Sequence, residues 1–132
     1  MPSLFSRIIA GEIPCHKVAE NEEFLAFLDI MPLAKGHTLV IPKLETDYIF
    51  DLEDEHYQRL WLFSKKVAGQ LRAQIPCKRI GVSVIGLEVP HAHIHLIPLQ
   101  DIEDINFSKP KIAADSKELA DLARILFDSN FQ

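Results

Sequence analysis

The sequence predicts an α+β fold, in which an antiparallel meander sheet of about five strands packs against a long central helix and a C-terminal helix. The order of the apolar segments is the first reason, because three strand-like segments precede a helix, and two more precede a second helix. The second reason is that the spacing of apolar residues changes from segment to segment between the strand period and the helix period. The chain of 132 residues suits a single domain, which we expect to span residues 1–132.

The predicted strands are short apolar segments that end at glycine, proline or polar residues. They are HKVAEN, FLAFLDI, HTLVIPK, KRIGVSVIG and the histidine-rich segment HAHIHLI. The second of them, Phe24–Ile30, is almost entirely apolar, so we expect both of its faces to be covered. The short link between the last two strands predicts a hairpin.

Three segments predict helices. A short one lies in SLFSRIIAGEIP and ends at Gly11, because glycine is favoured just after a helix. The long one covers about Leu52 to Gln74, and the last covers about Ser116 to Phe127. In the long helix one apolar stripe follows the i, i+3, i+4 spacing of a buried face. Its members are Tyr57, Leu60, Trp61, Val67, Ala68 and Leu71.

Composition excludes several classes of protein. Acidic residues outnumber basic ones by 19 to 14 and there is no basic stripe, so a nucleic-acid polymer is not expected as partner. No apolar run approaches the roughly 20 residues of a membrane span, so no membrane is expected either. Cys15 and Cys77 form no CxxC pair, and no signal peptide is evident, which favours a reducing cytoplasmic setting.

Half of the six histidines lie within five residues, at His91, His93 and His95. In a strand, alternate side chains share a face, so these three rings point one way while Ala92 and Ile94 point toward the core. Histidine is not a favoured strand residue, and three of them in register repel each other when protonated. A chemical role is therefore the better explanation than a solvated surface.

Two chemical roles are open on this pattern. A metal site is possible, but positions i and i+4 of a strand lie about 13 Å apart, so only two of the rings plus an acid or His37 could reach one ion. Alternatively, a neutral imidazole is a competent nucleophile toward phosphorus, and its neighbours could donate hydrogen bonds to phosphate oxygens. We favour metal-free phosphoryl or nucleotidyl transfer.

These residues carry a family resemblance. The segment HAHIHLI resembles the H-φ-H-φ-H-φ-φ signature of the histidine triad (HIT) family. RIIAGEIP, AFLDI and KGHTLVIPK are similar to the segments of its Hint-like branch, and the likeness runs in order from about Leu4 to Pro98. The resemblance implies a HIT-like fold and a homodimer. It also implies an enzyme without cofactor that binds AMP-like purine nucleotides and cleaves at the α-phosphate of nucleoside phosphoramidates or dinucleoside polyphosphates.

The resemblance also implies a role for each histidine. His93 matches the nucleophile that forms a nucleotidyl-imidazole intermediate, and His91 and His95 match its phosphate-contacting neighbours. His37 matches a further active-site histidine. Asp29 matches the residue that holds the ribose hydroxyls, although an Asp before Met-Pro is also typical of a turn. Four apolar residues match the region around the base, with core packing as an equally good interpretation: Phe5, Ile8, Phe27 and Leu28.

The sequence departs from the family pattern at two places. Ser3, Ser6 and Glu45 stand where zinc-binding members carry ligands, and because a hydroxyl is a poor zinc ligand we predict no metal. Leu87 and Glu88 stand where the family has a glutamine and a hydroxyl residue that bind phosphate. A leucine donates no hydrogen bond and a carboxylate repels phosphate if it points inward. Either Glu88 faces away, which we favour, or it acts on a cationic leaving group, or phosphate binding is weaker.

These departures leave two alternative functions open. The first is a nucleotide-binding regulatory or interaction protein with weak or lost catalysis, which Leu87 and Glu88 suggest. The second is a metal-dependent hydrolase that uses two of the histidines.

Overall fold

The computed structural model describes residues 2–127. Its strands are β1 (Lys17–Glu20), β2 (Phe24–Leu28), β3 (Thr38–Pro42), β4 (Arg79–Ser83) and β5 (Ile94–Leu99). Its helices are α1 (Leu4–Ile9), α2 (Asp54–Gln74) and α3 (Ser116–Phe127), and two short 3₁₀ turns cover Ile49–Asp51 and Ile102–Ile105. The predicted α+β class with a five-stranded antiparallel sheet is confirmed.

The strand order differs from that of a meander. The five strands lie in the order β1-β2-β3-β5-β4, so the last strand in sequence returns between β3 and β4. The reason is that α2 carries the chain from β3 to the far edge of the sheet, where β4 forms. β5 then returns between them and pairs with both β3 and β4. The predicted pairing of the last two strands is confirmed, with Ser83 opposite His95.

The sheet is covered on both faces. On one face, α2 and α3 pack over the larger core, where Leu60, Val67 and Leu71 of the predicted helical stripe are buried. Every residue of β2 is buried, as its apolar sequence predicts. Among residues 2–127, no helix combines the length and apolar character that crossing a bilayer requires.

The other face holds a smaller core under α1. Its buried members are Phe5, Ile8, Leu25, Phe27, Leu39 and Ile41. This second face is where His95 lies, since His95 pairs directly with Leu39 across β3 and β5 and opposite residues in an antiparallel pair share a face. The sheet therefore separates the main core from the histidines.

Candidate active site

The three histidines lie around the start of β5. This strand begins at Ile94, so His91 and His93 precede it and only His95 lies within it. The alternation predicted from the sequence nevertheless holds, because Ala92, Ile94 and other intervening residues are buried in the main core. The backbone N–H of Ala92 donates to the carbonyl of Thr46 at 2.7 Å, which fixes this irregular segment.

His93 is held in one tautomer by the backbone. Its Nδ1 lies 2.7 Å from the carbonyl oxygen of His91, and since a carbonyl can only accept, Nδ1 carries the proton. In the neutral ring, Nε2 then keeps its lone pair. The ring of Phe5 lies edge-on to His93 with centroids 5.0 Å apart, and the ring of His95 lies at the same centroid distance on another side. His93 is 7% exposed.

A second chain of hydrogen bonds fixes His95. The backbone N–H of Leu33 donates to Nδ1 of His37 at 3.0 Å, so the proton of the neutral His37 ring is on Nε2. That Nε2–H lies 2.9 Å from Nδ1 of His95 and donates to it. The neutral His95 ring therefore carries its own proton on Nε2. The result is a hydrogen-bond donor on His95 beside the free Nε2 of His93, with both orientations set by backbone groups.

Burial keeps His37 and His95 neutral. It lowers the pKa of His37 to about 4, with a smaller contribution from the charge of Lys111. It lowers the pKa of His95 to about 3, with further contributions from the charges of His37, His93 and Lys111. Both rings are therefore uncharged at neutral pH, which is the protonation state that the hydrogen-bond chain requires.

His91 has a different position from the one the sequence predicts. Its ring is fully buried, with Nδ1 2.7 Å from Oγ of Ser3 and Nε2 2.7 Å from the carbonyl oxygen of Pro42. Burial lowers its pKa. Because protein groups engage both ring nitrogens, the expected contact between this ring and phosphate is wrong. His91 contributes its backbone carbonyl to the site instead.

Asp29 lies next to the two linked histidines. Its Oδ1 accepts from the backbone N–H of Met31 at 2.9 Å, as a turn-forming Asp does, and its Oδ2 lies 3.6 Å from Nε2 of His37. Burial raises the pKa of its carboxyl group. Candidate ligand atoms of Asp29, His37 and His95 lie within 4.8 Å of one another. Since Leu33 places the proton of His37 on Nε2, that atom has no lone pair for a metal in this arrangement.

Comparison with protein families agrees with this geometry. The family model described as HIT domain matches residues 10–102, which is more than half of the chain. The chain belongs to the HIT family.

Several HIT proteins resemble it along most of their length. "Protein hit" from Bacillus subtilis is 36% identical over 129 residues, covering 92% of this chain and 88% of that protein. An adenosine 5'-monophosphoramidase from Schizosaccharomyces pombe is 37% identical over 99 residues, covering 74% of each. The crystal structure of a Hit-like protein involved in cell-cycle regulation from Bartonella henselae superposes with a TM-score of 0.82 at 28% identity, covering 95% and 93% of the two chains.

The apolar residues that the HIT resemblance assigns to the base are divided by the sheet. Phe5, Ile8 and Phe27 lie together on the histidine face, where the rings of Phe5 and Phe27 meet edge-on with centroids 5.6 Å apart. Leu28 lies in the main core on the opposite face. Its assignment is wrong, because neighbouring residues of a strand point to opposite faces and Phe27 already occupies the histidine side.

The loop before the histidines differs from a closed phosphate cradle. Leu87 is 88% exposed, and Glu88 is exposed as well. The expectation that the Glu88 carboxylate faces away from the histidines agrees with this exposure. By contrast, Ser3, Ser6 and Glu45 do come together, as hydrogen-bonding groups around His91.

Two further residues of this HIT protein reach the site without a signal in the sequence. The ring of Phe107 lies 4.8 Å from that of His95 and 6.2 Å from that of His37, centroid to centroid. The ammonium of Lys111 lies 5.5 Å above the Phe107 ring and donates to the carbonyl of Phe107 at 3.0 Å. They belong to a charged segment that has no strand or helix period, so its packing against the histidines was not predictable.

Proposed function

We propose that this HIT protein is a nucleotide hydrolase or transferase that cleaves at the α-phosphate through a nucleotidyl intermediate on His93. The observation that carries the proposal is the hydrogen bond from His93 Nδ1–H to the carbonyl of His91, which leaves the Nε2 lone pair for attack. Purine nucleoside phosphoramidates and dinucleoside polyphosphates are the proposed substrates. The AMP-directed activity named for the 37% identical yeast relative supports the first of these.

The first step forms a bond between His93 Nε2 and the α-phosphorus and breaks the bond to the leaving group. The leaving atom takes the electron pair of that bond. In a phosphoramidate it is an amine nitrogen, and it takes a proton as it departs. The Nε2–H of His95, oriented by His37, is the proposed hydrogen-bond donor to the phosphoryl oxygens, and the leaving nitrogen takes its proton from solvent.

The second step returns the enzyme to its resting state. A water molecule attacks the phosphorus, the bond between phosphorus and His93 Nε2 breaks, and a nucleoside monophosphate leaves. The electron pair of the broken bond returns to Nε2, and a proton of the water passes to solvent. Two steps of this kind need no metal, because a neutral imidazole supplies both the nucleophile and the leaving group.

The base and the ribose have proposed binding partners on the same face of the sheet. Phe5, Ile8 and Phe27 form the apolar wall beside His93, which suits a purine ring. Asp29 is the proposed partner of the ribose hydroxyls, since its carboxylate lies next to His37 at the edge of the site. Leu87 and Glu88 are too exposed to support more than a contact at the rim.

Turnover of a fluorogenic AMP-phosphoramidate, measured with and without a chelator, tests the proposal. We expect chelator-insensitive turnover by the wild-type protein and none by His93→Ala. Circular dichroism and the melting temperature of the variant should show that the fold persists.

The other outcomes identify the alternatives. Tight AMP binding without turnover would make this a nucleotide-binding regulatory protein, as the exposed Leu87 would suggest. Turnover abolished by the chelator and restored by a divalent metal would indicate a metal-dependent hydrolase. Turnover that survives in His93→Ala would remove His93 from the mechanism.

We also propose a homodimer formed through α2 and the edge strand β4. Tyr57, Trp61 and Leu62 form an apolar patch on α2, and within the described residues the buried Trp61 indole N–H has no hydrogen-bond partner. β4 is an edge strand whose Val82 is 48% exposed. Among residues 2–127, no element covers this strand edge or this apolar helix face, and both suit a second copy of the chain.

Light scattering coupled to size exclusion tests the dimer. The wild-type protein should elute with twice the mass of one chain, and Val82→Lys combined with Leu62→Lys should shift it to a monomer. Lys117→Glu, at an exposed position of α3, which packs on β1 at the opposite edge of the sheet, serves as the control. A wild-type monomer at every concentration would contradict the proposal.

A cytoplasmic location is the last part of the proposal. Cys15 and Cys77 are both free thiols and both half-buried. Burial raises the pKa of the Cys15 thiol, so it stays protonated at neutral pH. Unpaired thiols fit a reducing compartment.

A further inference from the structure

A cluster of four side chains joins α1 to the loop after β3 and to the segment before β5. We call Ser3, Ser6, Glu45 and His91 the Ser3 cluster. One carboxylate oxygen of Glu45 accepts from the backbone N–H of Ser3 at 2.7 Å and from the hydroxyl of Ser6 at 2.6 Å. The hydroxyl oxygen of Ser3 accepts from the backbone N–H of Ser6 at 3.0 Å.

The Ser3 hydroxyl completes the cluster by donating to His91. Its distance to His91 Nδ1 is 2.7 Å, and Nδ1 must accept because the His91 proton is committed to the Pro42 carbonyl. The bonds from Ser6 and Ser3 lower the pKa of the Glu45 carboxyl to about 2, so this carboxylate is ionised at neutral pH. Within the cluster, every proton has one acceptor.

Two of the contacts that orient His93 depend on groups that the Ser3 cluster holds in place. The carbonyl of His91 accepts the Nδ1–H of His93, and the position of that carbonyl follows from the clamped His91 ring. The ring of Phe5, which packs edge-on against His93, is carried by α1. This helix has only six residues, too few for stability by itself, so it needs outside anchoring. The Glu45 carboxylate supplies it at the helix N-terminus, where negative charge is favourable.

We propose that Glu45 and Ser3 are positioning residues for His93, acting through α1 and the clamped ring of His91. The proposal rests on the proposed function of His93 as nucleophile. Glu45 touches neither His93 nor any reacting atom in this account. It holds the N-terminus of α1 against the loop after β3, so that the Ser3 hydroxyl stays on His91 and Phe5 stays against the nucleophile.

The matched variants are Glu45→Ala and Glu45→Gln, with Asp47→Ala as control. Glu45→Gln keeps an oxygen that can accept both bonds, whereas Glu45→Ala removes the acceptor. Asp47 is an exposed carboxylate in the same loop, so its replacement changes the net charge equally while leaving the Ser3 cluster intact. Because a small misplacement of a reacting group is costly, we expect kcat to fall by about tenfold in Glu45→Ala with KM nearly unchanged. Glu45→Gln should restore most of kcat, and Asp47→Ala should match the wild type.

A readout that needs no turnover separates this proposal from the proposed function. The ¹⁵N shifts of the imidazole rings report which nitrogen carries the proton. We expect a pure Nδ1–H tautomer for His93 in the wild type and a mixture in Glu45→Ala. Should the wild type fail to turn over substrate, the tautomer comparison would still decide the positioning role.

Two results would overturn the proposal. One is an unchanged His93 tautomer in Glu45→Ala, whatever happens to kcat, because a loss would then have another origin. The other is a loss of kcat of the same size in Asp47→Ala. Ser6→Ala removes only one of the two donors to the carboxylate. It provides a milder variant with the same expected directions if Glu45→Ala does not fold.

Discussion

Nε2 of His37 lies 2.9 Å from Nδ1 of His95, and Nδ1 of His37 accepts from the backbone of Leu33. The direction of this series of hydrogen bonds is fixed by Leu33, since a backbone N–H can only donate. The backbone therefore determines which nitrogen of His95 presents a proton to a ligand. Four testable predictions concern this chain and its surroundings.

Two replacements of His37 should distinguish the contribution of its hydrogen bond to activity from that of its side-chain volume. His37→Leu leaves Nδ1 of the buried His95 without a donor, so the ring can turn or change tautomer, and we expect kcat to fall at least about tenfold. His37→Gln retains an N–H at about the same reach and should lose less activity. The measurement is kcat for an AMP-phosphoramidate with both variants. Equal losses in Leu and Gln would mean that the hydrogen bond has no part in catalysis.

Stability should fall on acidification from pH 6.5. The unfolded histidines bind protons near pH 6.5, whereas His37 and His95 bind them only near pH 4 and pH 3 in the folded protein. Between these values the unfolded state holds more protons, so the free energy of unfolding rises with pH and is lost as pH falls. Each ring should contribute a loss of about 1–2 kcal/mol between pH 6.5 and 5.

Urea unfolding at pH 7.5, 6.5 and 5 measures this dependence. His37→Gln should show a shallower fall than the wild type, because it removes one of the three histidines whose pKa burial lowers. Equal pH dependence of the free energy of unfolding in the two proteins would show that the pKa of His37 is not lowered in the folded protein. Half-buried Asp29 has a raised pKa and contributes the opposite slope.

Gly36 should tolerate no side chain. Its φ is +90°, which disfavours other residues, and an added Cβ would meet Ile75 Cδ1 and lie 3.2 Å from Pro98 Cγ. We expect Gly36→Ala to destabilise the protein by about 2–4 kcal/mol, combining backbone strain with overpacking. Gly11 is the control, since its φ is +82° but a Cβ there meets nothing within 4 Å. Gly11→Ala should therefore lower the stability only by the backbone strain of a positive φ. Equal melting temperatures for the two variants would contradict the proposed overpacking at Gly36.

Lys111 should favour substrates with additional negative charge. Its ammonium lies over Phe107 beside His95 and contributes to the lowered pKa of both His37 and His95. Because the side chain is exposed to water, the effect should be modest, so Lys111→Ala should raise KM for a dinucleoside polyphosphate by about two- to fivefold. KM for a phosphoramidate with an uncharged leaving group should change less.

Lys109→Ala is the matched control for this effect. Lys109 is an exposed lysine of the same segment whose charge acts on Asp104, away from the histidines. An identical response of both lysine variants to both substrates would assign the effect to overall charge.

Local patterns in the sequence predicted the elements well. The bounds of α3, Ser116–Phe127, follow directly from the spacing of its apolar residues. The sequence also placed the intervening residues Ala92 and Ile94 in the core, because side-chain alternation persists even though β5 begins only at Ile94. Such features depend on neighbours along the chain, which a sequence displays.

Contacts between distant parts of the chain were not predictable from local patterns. The bond from Ser3 to His91 joins residues 88 positions apart, and it turns the His91 ring away from the expected phosphate contact. Similarly, the packing of Phe107 on His95 depends on the path of an irregular segment. Leu28 shows a different limit, since family resemblance marked it together with Phe27 although a strand cannot place both on one face.

The Ser3 cluster bears on how this protein would withstand oxidative stress. Peroxide attacks thiolates, and the groups that tie the first helix to the histidines are two hydroxyls, a carboxylate and an imidazole. The nearest thiol of the small core, Cys15, is partly buried and has a raised pKa, so it reacts slowly. The proposed turnover should therefore continue at peroxide concentrations that inactivate an enzyme whose corresponding anchor is built from cysteines.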